Sequence, residues 1–259
     1  HNRRLKKAGT DSIQRSAFLC ALNGRKKMKK HLLILFTIFA TVSLSFAGDA
    51  AAFVDLGLSE DGKTYVFAEY GKTDKTFQGY AEIYCVDIEK NDWIDGEVFR
   101  INPSEATAKK TGREVYEELL KKASWVLKKY NLKKSEADNL LFTREIPSST
   151  GEIVFKDFEG SSTERSIFYH IKLIKNVEGT GENCKSSFFI AVEKQDESGN
   201  VISHNIVGNP DIKRKGVTGY TINRIFSDKS GRNFVFVVEK QVENKTGTCI
   251  RYMVETIRL

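Results

Sequence analysis

The stretch LGLSEDGKTYVFAEYG, residues 56–71, holds the densest set of side chains that could do chemistry. A phosphate loop needs several glycines and a following helix, because consecutive amides and the helix dipole hold the anion. A calcium loop needs acids or amides at alternate positions and a late bidentate acid. Ser59, Asp61 and Lys63 do not supply that set, and strand formers follow Gly62. Asp61-Gly62 is therefore predicted to be a hairpin corner.

Other catalytic patterns are sparse. No Gly-x-Ser-x-Gly elbow occurs, and His170 and His204 each stand alone in a strand-like run, which is weak evidence for zinc. Two acidic pairs would serve glycoside chemistry only if the fold held one pair about 5–10 Å apart. These pairs are Glu69 with Glu82 and Asp92 with Asp95. We assign no catalytic residue, no metal site and no cofactor.

Aromatic side chains near the predicted turns are the candidate binding residues. They are Tyr70, Phe77, Tyr80 and Trp93. Core packing is the alternative, because alternation along YAEIYCVDI leaves either face of that strand free to be the buried one.

The residues that precede this region predict export. Met28 and two lysines lead into an apolar run over residues 32–46, and Ser45-Phe46-Ala47 has the small-x-small cleavage pattern. We expect residues 28–47 to be a signal peptide and residues 1–27 to be translated upstream sequence. The run is short for a membrane span, so we predict no stable span after cleavage. The expected location is secreted or periplasmic.

The net charge of the chain changes sign once residues 1–47 are excluded. The full chain has 41 basic and 34 acidic residues, a net charge of +7. Ten of the basic residues and one acid fall within residues 1–47, which leaves 31 basic against 33 acidic residues. A basic excess would favour nucleic acid as a partner, but here it is confined to the removed part. We therefore exclude nucleic-acid binding.

Three cysteines follow residue 47: Cys85, Cys184 and Cys249. In an oxidising compartment, one disulfide and one free thiol is the simplest arrangement. Cys184 and Cys249 each follow a polar loop and open a strand-like run, which favours a Cys184–Cys249 disulfide. Three buried reduced thiols are the alternative.

The pattern of residues 48–259 predicts one mainly β (α+β) domain. Runs of aromatic and β-branched residues between Gly, Asn and Asp clusters indicate antiparallel hairpins and meanders, arranged as propeller-like blades or as a sandwich. Residues 104–142 are predicted to be a helical insertion, because Thr111 and Glu114 form a capping box and apolar residues then recur at helical spacing. A second short helix is expected from Ser135 to Leu141.

A sequence pattern that occurs twice in the chain supports this architecture. LSEDGKTYVFAEYG is similar to FSDKSGRNFVFVVEKQ, and aligning Gly62 with Gly231 keeps the next strands in register. Both segments predict strand, Ser/Asp/Gly turn, strand, polar loop and strand.

The run FVDLGLSEDGKTYVFAEYG, with YAEIYCVDI and the later GNPDIKRKGVTGYTINRIFSDKSGRNFVFVVE, resembles a family of bacterial predicted secreted proteins, domain of unknown function 2259. The first element also resembles the strand turns of propeller blades. The family resemblance implies export, and it carries no catalytic residues over.

We expect an exported, non-catalytic binding or scaffolding module of the cell envelope, with an envelope protein or a glycan as partner. The alternatives are a secreted hydrolase that uses dispersed carboxylates and an envelope assembly component.

Overall fold

The computed structural model describes residues 47–134, 139–144, 151–245 and 247–259. The predicted upstream segment and the predicted signal peptide lie outside these residues, except for Ala47 at the end of the signal. Ala47–Leu259 is a compact unit of its own.

The described residues form fourteen strands and two α-helices. In chain order the strands are β1 (Ala47–Ala50), β2 (Ala52–Leu58), β3 (Thr64–Lys72), β4 (Gly79–Asp87), β5 (Asp92–Ile101), β6 (Leu140–Thr143), β7 (Ile153–Lys156), β8 (Ile167–Glu178), β9 (Lys185–Asp196), β10 (Val201–Val207), β11 (Arg214–Lys215), β12 (Val217–Ser227), β13 (Asn233–Asn244) and β14 (Gly247–Arg258). The helices are α1 (Gly112–Lys122) and α2 (Ser124–Tyr130).

These strands form three sheets. The first sheet is the antiparallel meander β2-β3-β4-β5. The central sheet has the order β1-β14-β13-β12-β6, in which only the short β1 is paired in parallel. The third sheet has the order β10-β9-β8-β7, and β11 pairs with β9. The predicted mainly β fold of antiparallel meanders with a helical insertion is confirmed.

The central sheet is covered on both faces, as the residues of β13 show. Phe234, Phe236 and Val238 pack against the third sheet, whereas Val235 and Val237 pack against the first sheet. Successive strand residues point to opposite faces, so a strand between two sheets must be apolar at every position. This requirement explains the uninterrupted run from Phe234 to Val238.

The helices cover the outer face of the first sheet. The Glu114 N–H donates to Thr111 Oγ1 over 3.2 Å, and the Thr111 N–H donates to the Glu114 carboxylate over 2.7 Å. The predicted capping box therefore starts α1. Val115 and Val126 are fully buried against this sheet.

The helices occupy the middle of the predicted insertion. Residues 135–138, where a second short helix was expected to begin, lie outside the described residues. Leu140 and Leu141 belong to strand β6, which pairs with β12, so the expectation that this helix reaches Leu141 is wrong. Leu141 packs against the core between the central and third sheets, a contact that short-range spacing does not reveal.

The two similar segments form equivalent hairpin turns, and these turns contact each other. Gly62 and Gly231 both have a positive φ, at +68° and +65°, which a glycine adopts without strain. The Asn233 side-chain amide donates to the Gly62 carbonyl over 3.1 Å. The predicted hairpin turn at Asp61-Gly62 is thus a contact between the first and central sheets.

The buried central strand generates a stability prediction. Phe236→Ala is expected to lower the free energy of unfolding by about 3–5 kcal/mol, because the ring is fully buried between two sheets. Urea unfolding followed by circular dichroism measures the change. Phe77→Ala is the matched control; its ring is 65% exposed, so we expect a change within about 0.5 kcal/mol. Equal losses in both variants would contradict this packing.

Candidate functional site

The largest of five cavities among the described residues has a volume of about 550 Å³, whereas the other four measure about 160 to 340 Å³. It lies beside β14, where the β4–β5 turn faces the loop between β10 and β11. We name it the Trp93 cavity. Its wall includes Lys90, Trp93, Arg214, Lys240 and Glu255.

Trp93 provides the aromatic surface of this cavity. It follows the β4–β5 turn and pairs with Val86 across the two strands. Its ring centre lies 5.3 Å from that of Tyr84, so the core supports the indole, yet 50% of the residue is exposed. A supported but accessible indole offers a rigid apolar surface with a polar N–H.

Asn91 fixes the turn against the central sheet. Its φ of +52° is left-handed, a conformation that asparagine tolerates. Its amide nitrogen donates to Glu255 over 2.5 Å, and its amide oxygen accepts the Thr256 N–H over 2.6 Å. On the opposite side, Gly208 has a φ of +88°, and a Cβ there would lie 3.3 Å from the Glu255 carboxyl carbon. Glycine therefore lets this loop approach Glu255 closely.

Two charged groups of the cavity, Glu255 and Lys240, are partly desolvated. Burial raises the pKa of Glu255, although its hydrogen bond from Asn91 and the charge of Arg214 act in the opposite direction. Arg214 lies 3.7 Å from Glu255 and 5.1 Å from the centre of the Phe188 ring. Burial also lowers the pKa of Lys240, and Glu69 partly counteracts that effect. The cavity thus combines one indole with fixed hydrogen-bonding and charged groups.

A second polar residue, Glu69, lies beside β14, at the same edge of the central sheet as Asn91. It is 3% exposed, and its carboxylate accepts the Tyr252 N–H of β14 over 2.7 Å. Burial raises the pKa of Glu69 to about 7, the nearby Glu82 adds to the rise, and Tyr252, Lys240 and Arg251 oppose it. Glu69 and Asn91 therefore satisfy two amides of β14 that β1 does not cover.

The predicted Glu69–Glu82 pair does lie directly across β3 and β4. Glu82 accepts hydrogen bonds from the Tyr84 hydroxyl and from Arg100 Nε, the latter over 2.9 Å. Neither acid lines any of the five cavities. Asp92, from the other pair, lines the Trp93 cavity and accepts the backbone N–H of Trp93 over 2.8 Å.

The structure separates the candidate binding aromatics. Tyr70 stacks on Tyr116 of α1 at 5.2 Å, and Tyr80 is buried beneath Arg251. Phe77 is exposed on the β3–β4 loop. Of these predicted aromatics, only Trp93 lines one of the five cavities.

The two histidines lie on either side of one strand of the third sheet. Both His170 and His204 pair with Glu193, and His204 Nδ1 is 3.1 Å from the Glu193 carboxylate. Within the described part of the chain, no group of three His, Cys, Asp or Glu side chains is placed to hold a metal ion.

The three cysteines are buried free thiols in the structure. The Cys184 thiol donates to the Val217 carbonyl over 3.2 Å, and the Cys249 sulfur accepts from Asn244 over 3.1 Å. Strand β13 lies between Cys249 and Val217, so a Cys184–Cys249 disulfide would require these segments to move. That disulfide stays a prediction.

The other cavity residues were not predicted as site residues. Glu255 carries a usable signal, because it places a charge directly after the apolar residues Met253 and Val254, whereas Lys240 stands between the polar residues Glu239 and Gln241 and carries none. Arg214 and Asn91 carry no such signal, since both occur in polar turn sequences. Only the three-dimensional arrangement of the strands brings these four side chains together.

Residues 66–258 match the family model DUF2259, described as a predicted secreted protein, and the match covers more than half of the chain. The chain belongs to this family. Comparisons with the curated proteins and with the solved structures found no match.

Membership of DUF2259 confirms the secreted localisation predicted from the sequence. Neither helix of the described residues has the length and apolar content needed to cross a bilayer.

Glu69 makes stability depend on pH. Because its folded pKa is about 7 against an ordinary value of 4.5, the unfolded chain loses this proton first as the pH rises. The free energy of unfolding should therefore fall between about pH 4.5 and 7, by on the order of 3 kcal/mol. Glu69→Gln should remove this fall. The measurement is urea unfolding at several pH values, with Glu117→Gln on the exposed face of α1 as control. An unchanged slope in Glu69→Gln would contradict the assignment.

Thiol labelling tests the cysteine environments. Burial raises the pKa of Cys85 to about 12, so almost no reactive thiolate is present at pH 8. We expect Cys85 to resist iodoacetamide in the native protein and to react in urea, as read by peptide mapping. An introduced cysteine, Phe77→Cys, is the exposed control and should react quickly. Rapid native labelling of Cys85 would refute this environment, and the same map without reductant reports any Cys184–Cys249 disulfide.

Proposed function

We propose that this secreted protein is a non-catalytic binding module of the cell envelope that binds a small glycan in the Trp93 cavity. The observation that carries the proposal is the half-exposed indole of Trp93 in the largest of the five cavities. The C–H face of a sugar ring packs on an aromatic ring, whose electron-rich face attracts it.

The rest of the cavity supplies what a sugar needs beyond an aromatic surface. Its volume of about 550 Å³ lies within the roughly 300–1,000 Å³ of small-molecule sites. Lys90, Asp92 and Asn209 border it and offer donors and acceptors for hydroxyl groups. Asn91 anchors one side to Glu255 and Thr256, so little ordering of that side is required when a ligand binds.

The hydrolase alternative is less well supported. Catalysis by two carboxylates needs both acids beside a bound sugar. Glu69 is engaged by a backbone amide and Glu82 by Arg100 and Tyr84, and neither borders one of the five cavities. In the Trp93 cavity itself, Glu255 is held by Asn91 and Arg214, and Asp92 accepts the backbone N–H of Trp93.

An envelope assembly role is the second candidate, and the outer face of the third sheet favours it. Val154, Ile174 and Ile206 are 50%, 40% and 57% exposed on β7, β8 and β10. Affinity capture from envelope extracts distinguishes the two roles. A glycan retained through Trp93 supports binding, whereas a stable protein partner lost only on changing Ile206 supports assembly.

The two tryptophans provide a matched pair for testing glycan binding. Trp93 and Trp125 are 50% and 48% exposed, but Trp125 belongs to α2, packs on Phe99 and does not line the cavity. Removing an aromatic anchor costs roughly 2 kcal/mol, which is about 30-fold in Kd. We therefore expect Trp93→Ala to weaken binding of the best saccharide from a glycan array about 30-fold by calorimetry. Trp125→Ala should leave it unchanged.

Two results would contradict the proposal: no saccharide binds the protein, or both alanine variants bind equally well. Thermal unfolding of both variants checks that the fold is intact.

A further inference from the structure

Lys240 is unusual among the cations around the Trp93 cavity. It lies on β13, in the covered central sheet, and borders the cavity. The other two cations of the cavity wall have partners, because Arg214 pairs with Glu255 and Lys90 with Asp87. Among the described residues, no side chain or carbonyl forms a hydrogen bond or ion pair with the Lys240 ammonium.

An ammonium without a partner is costly where water is partly excluded. The desolvation that lowers the pKa of Lys240 reflects this cost. Four charged residues also affect the pKa of Lys240: the acids Glu69 and Glu82 raise it, and the cations Arg214 and Arg251 lower it. Glu69 uses its carboxylate for the Tyr252 amide, and Glu82 uses its own for Arg100 and Tyr84.

The acids within the cavity are also engaged. Glu255 accepts from Asn91 and lies near Arg214, and Asp92 accepts the Trp93 amide. The cavity wall therefore holds a cation without a contact partner, and no acid of the wall is directed to it. An acidic group brought by the ligand would satisfy Lys240.

We propose that the ligand of the Trp93 cavity is an acidic saccharide whose anionic substituent binds Lys240 while its ring packs on Trp93. This inference rests on the proposed glycan-binding function and specifies its ligand class. Lys240 supplies a point charge with three donors, and the nearby Arg214 adds positive potential. A carboxylate and a phosphate substituent share this chemistry.

The experiment uses isothermal titration calorimetry of the purified protein with glucose, glucuronic acid and glucose 6-phosphate. We expect at least one acidic sugar to bind about tenfold or more tightly than glucose. Lys240→Met keeps the aliphatic stem and removes the charge, so it should abolish this preference. Lys121→Met, on the exposed face of α1, removes one charge far from the cavity and should retain the preference.

The arms of the experiment give separate outcomes. A Lys240-dependent preference for glucuronic acid identifies a carboxylate, and one for glucose 6-phosphate identifies a phosphate. Equal affinity for glucose and both acidic sugars, with Trp93→Ala weakening all three, overturns this inference and leaves glycan binding standing. Binding of none of the three sugars, nor of any array glycan, overturns both.

Folding of the variant is checked separately. Thermal unfolding of Lys240→Met should match that of the parent protein or exceed it, since removing a partly buried charge that has no partner is not expected to destabilise. If this variant does not fold, the salt dependence of acidic-sugar binding by the parent protein tests the proposal instead. The acid preference should shrink between 0.05 and about 0.5 M salt, because screening weakens a charge contact; a preference that does not change with salt would overturn the proposal.

Discussion

The structure depends on the burial of the central sheet on both faces. Strand β13 must be apolar toward the first sheet and toward the third sheet, and its run of Phe and Val residues meets that demand. Because both faces are occupied, the central sheet presents to solvent only its edges and the ends of its strands. The largest of the five cavities lies beside one such edge, at β14.

The edge of the central sheet at β14 is protected from pairing with another chain. An open edge strand exposes amides that can pair with another chain. Here the parallel strand β1 covers the first part of β14, and the side chains of Glu69 and Asn91 bind the amides of Tyr252 and Thr256. Asn91 also contacts Glu255, so the group that protects the edge shapes the cavity as well. Edge protection and site formation are thus achieved by the same turn.

The electrostatics of this region follow from partial burial. Glu69 and Glu255 both have raised pKa values because water is excluded around them, and Lys240 has a lowered one for the same reason. Glu69 and Glu255 have hydrogen-bond donors from the protein. Lys240 lacks an equivalent partner among the described residues, and this asymmetry gives the Trp93 cavity its positive character.

The sequence alone determined the strands, the capped helix and the hairpin corner at Asp61-Gly62, because each depends on neighbours within a few residues. A run of strand-forming residues, a capping box and a turn glycine are local physical requirements, and all three appear where they were expected. The family resemblance also came from local runs of residues, and the match over residues 66–258 agrees with it.

Only the tertiary structure decided which side chains meet. Leu140 and Leu141 fit a helical or a strand pattern, and pairing with β12 settled the question. Tyr70, Phe77 and Trp93 were equivalent by sequence, but only Trp93 borders one of the five cavities. Lys240 and Glu255 line a cavity only because the fold brings residues more than 100 positions away, Asn91 and Trp93, beside them. Such contacts depend on how the sheets stack, and no local pattern encodes that.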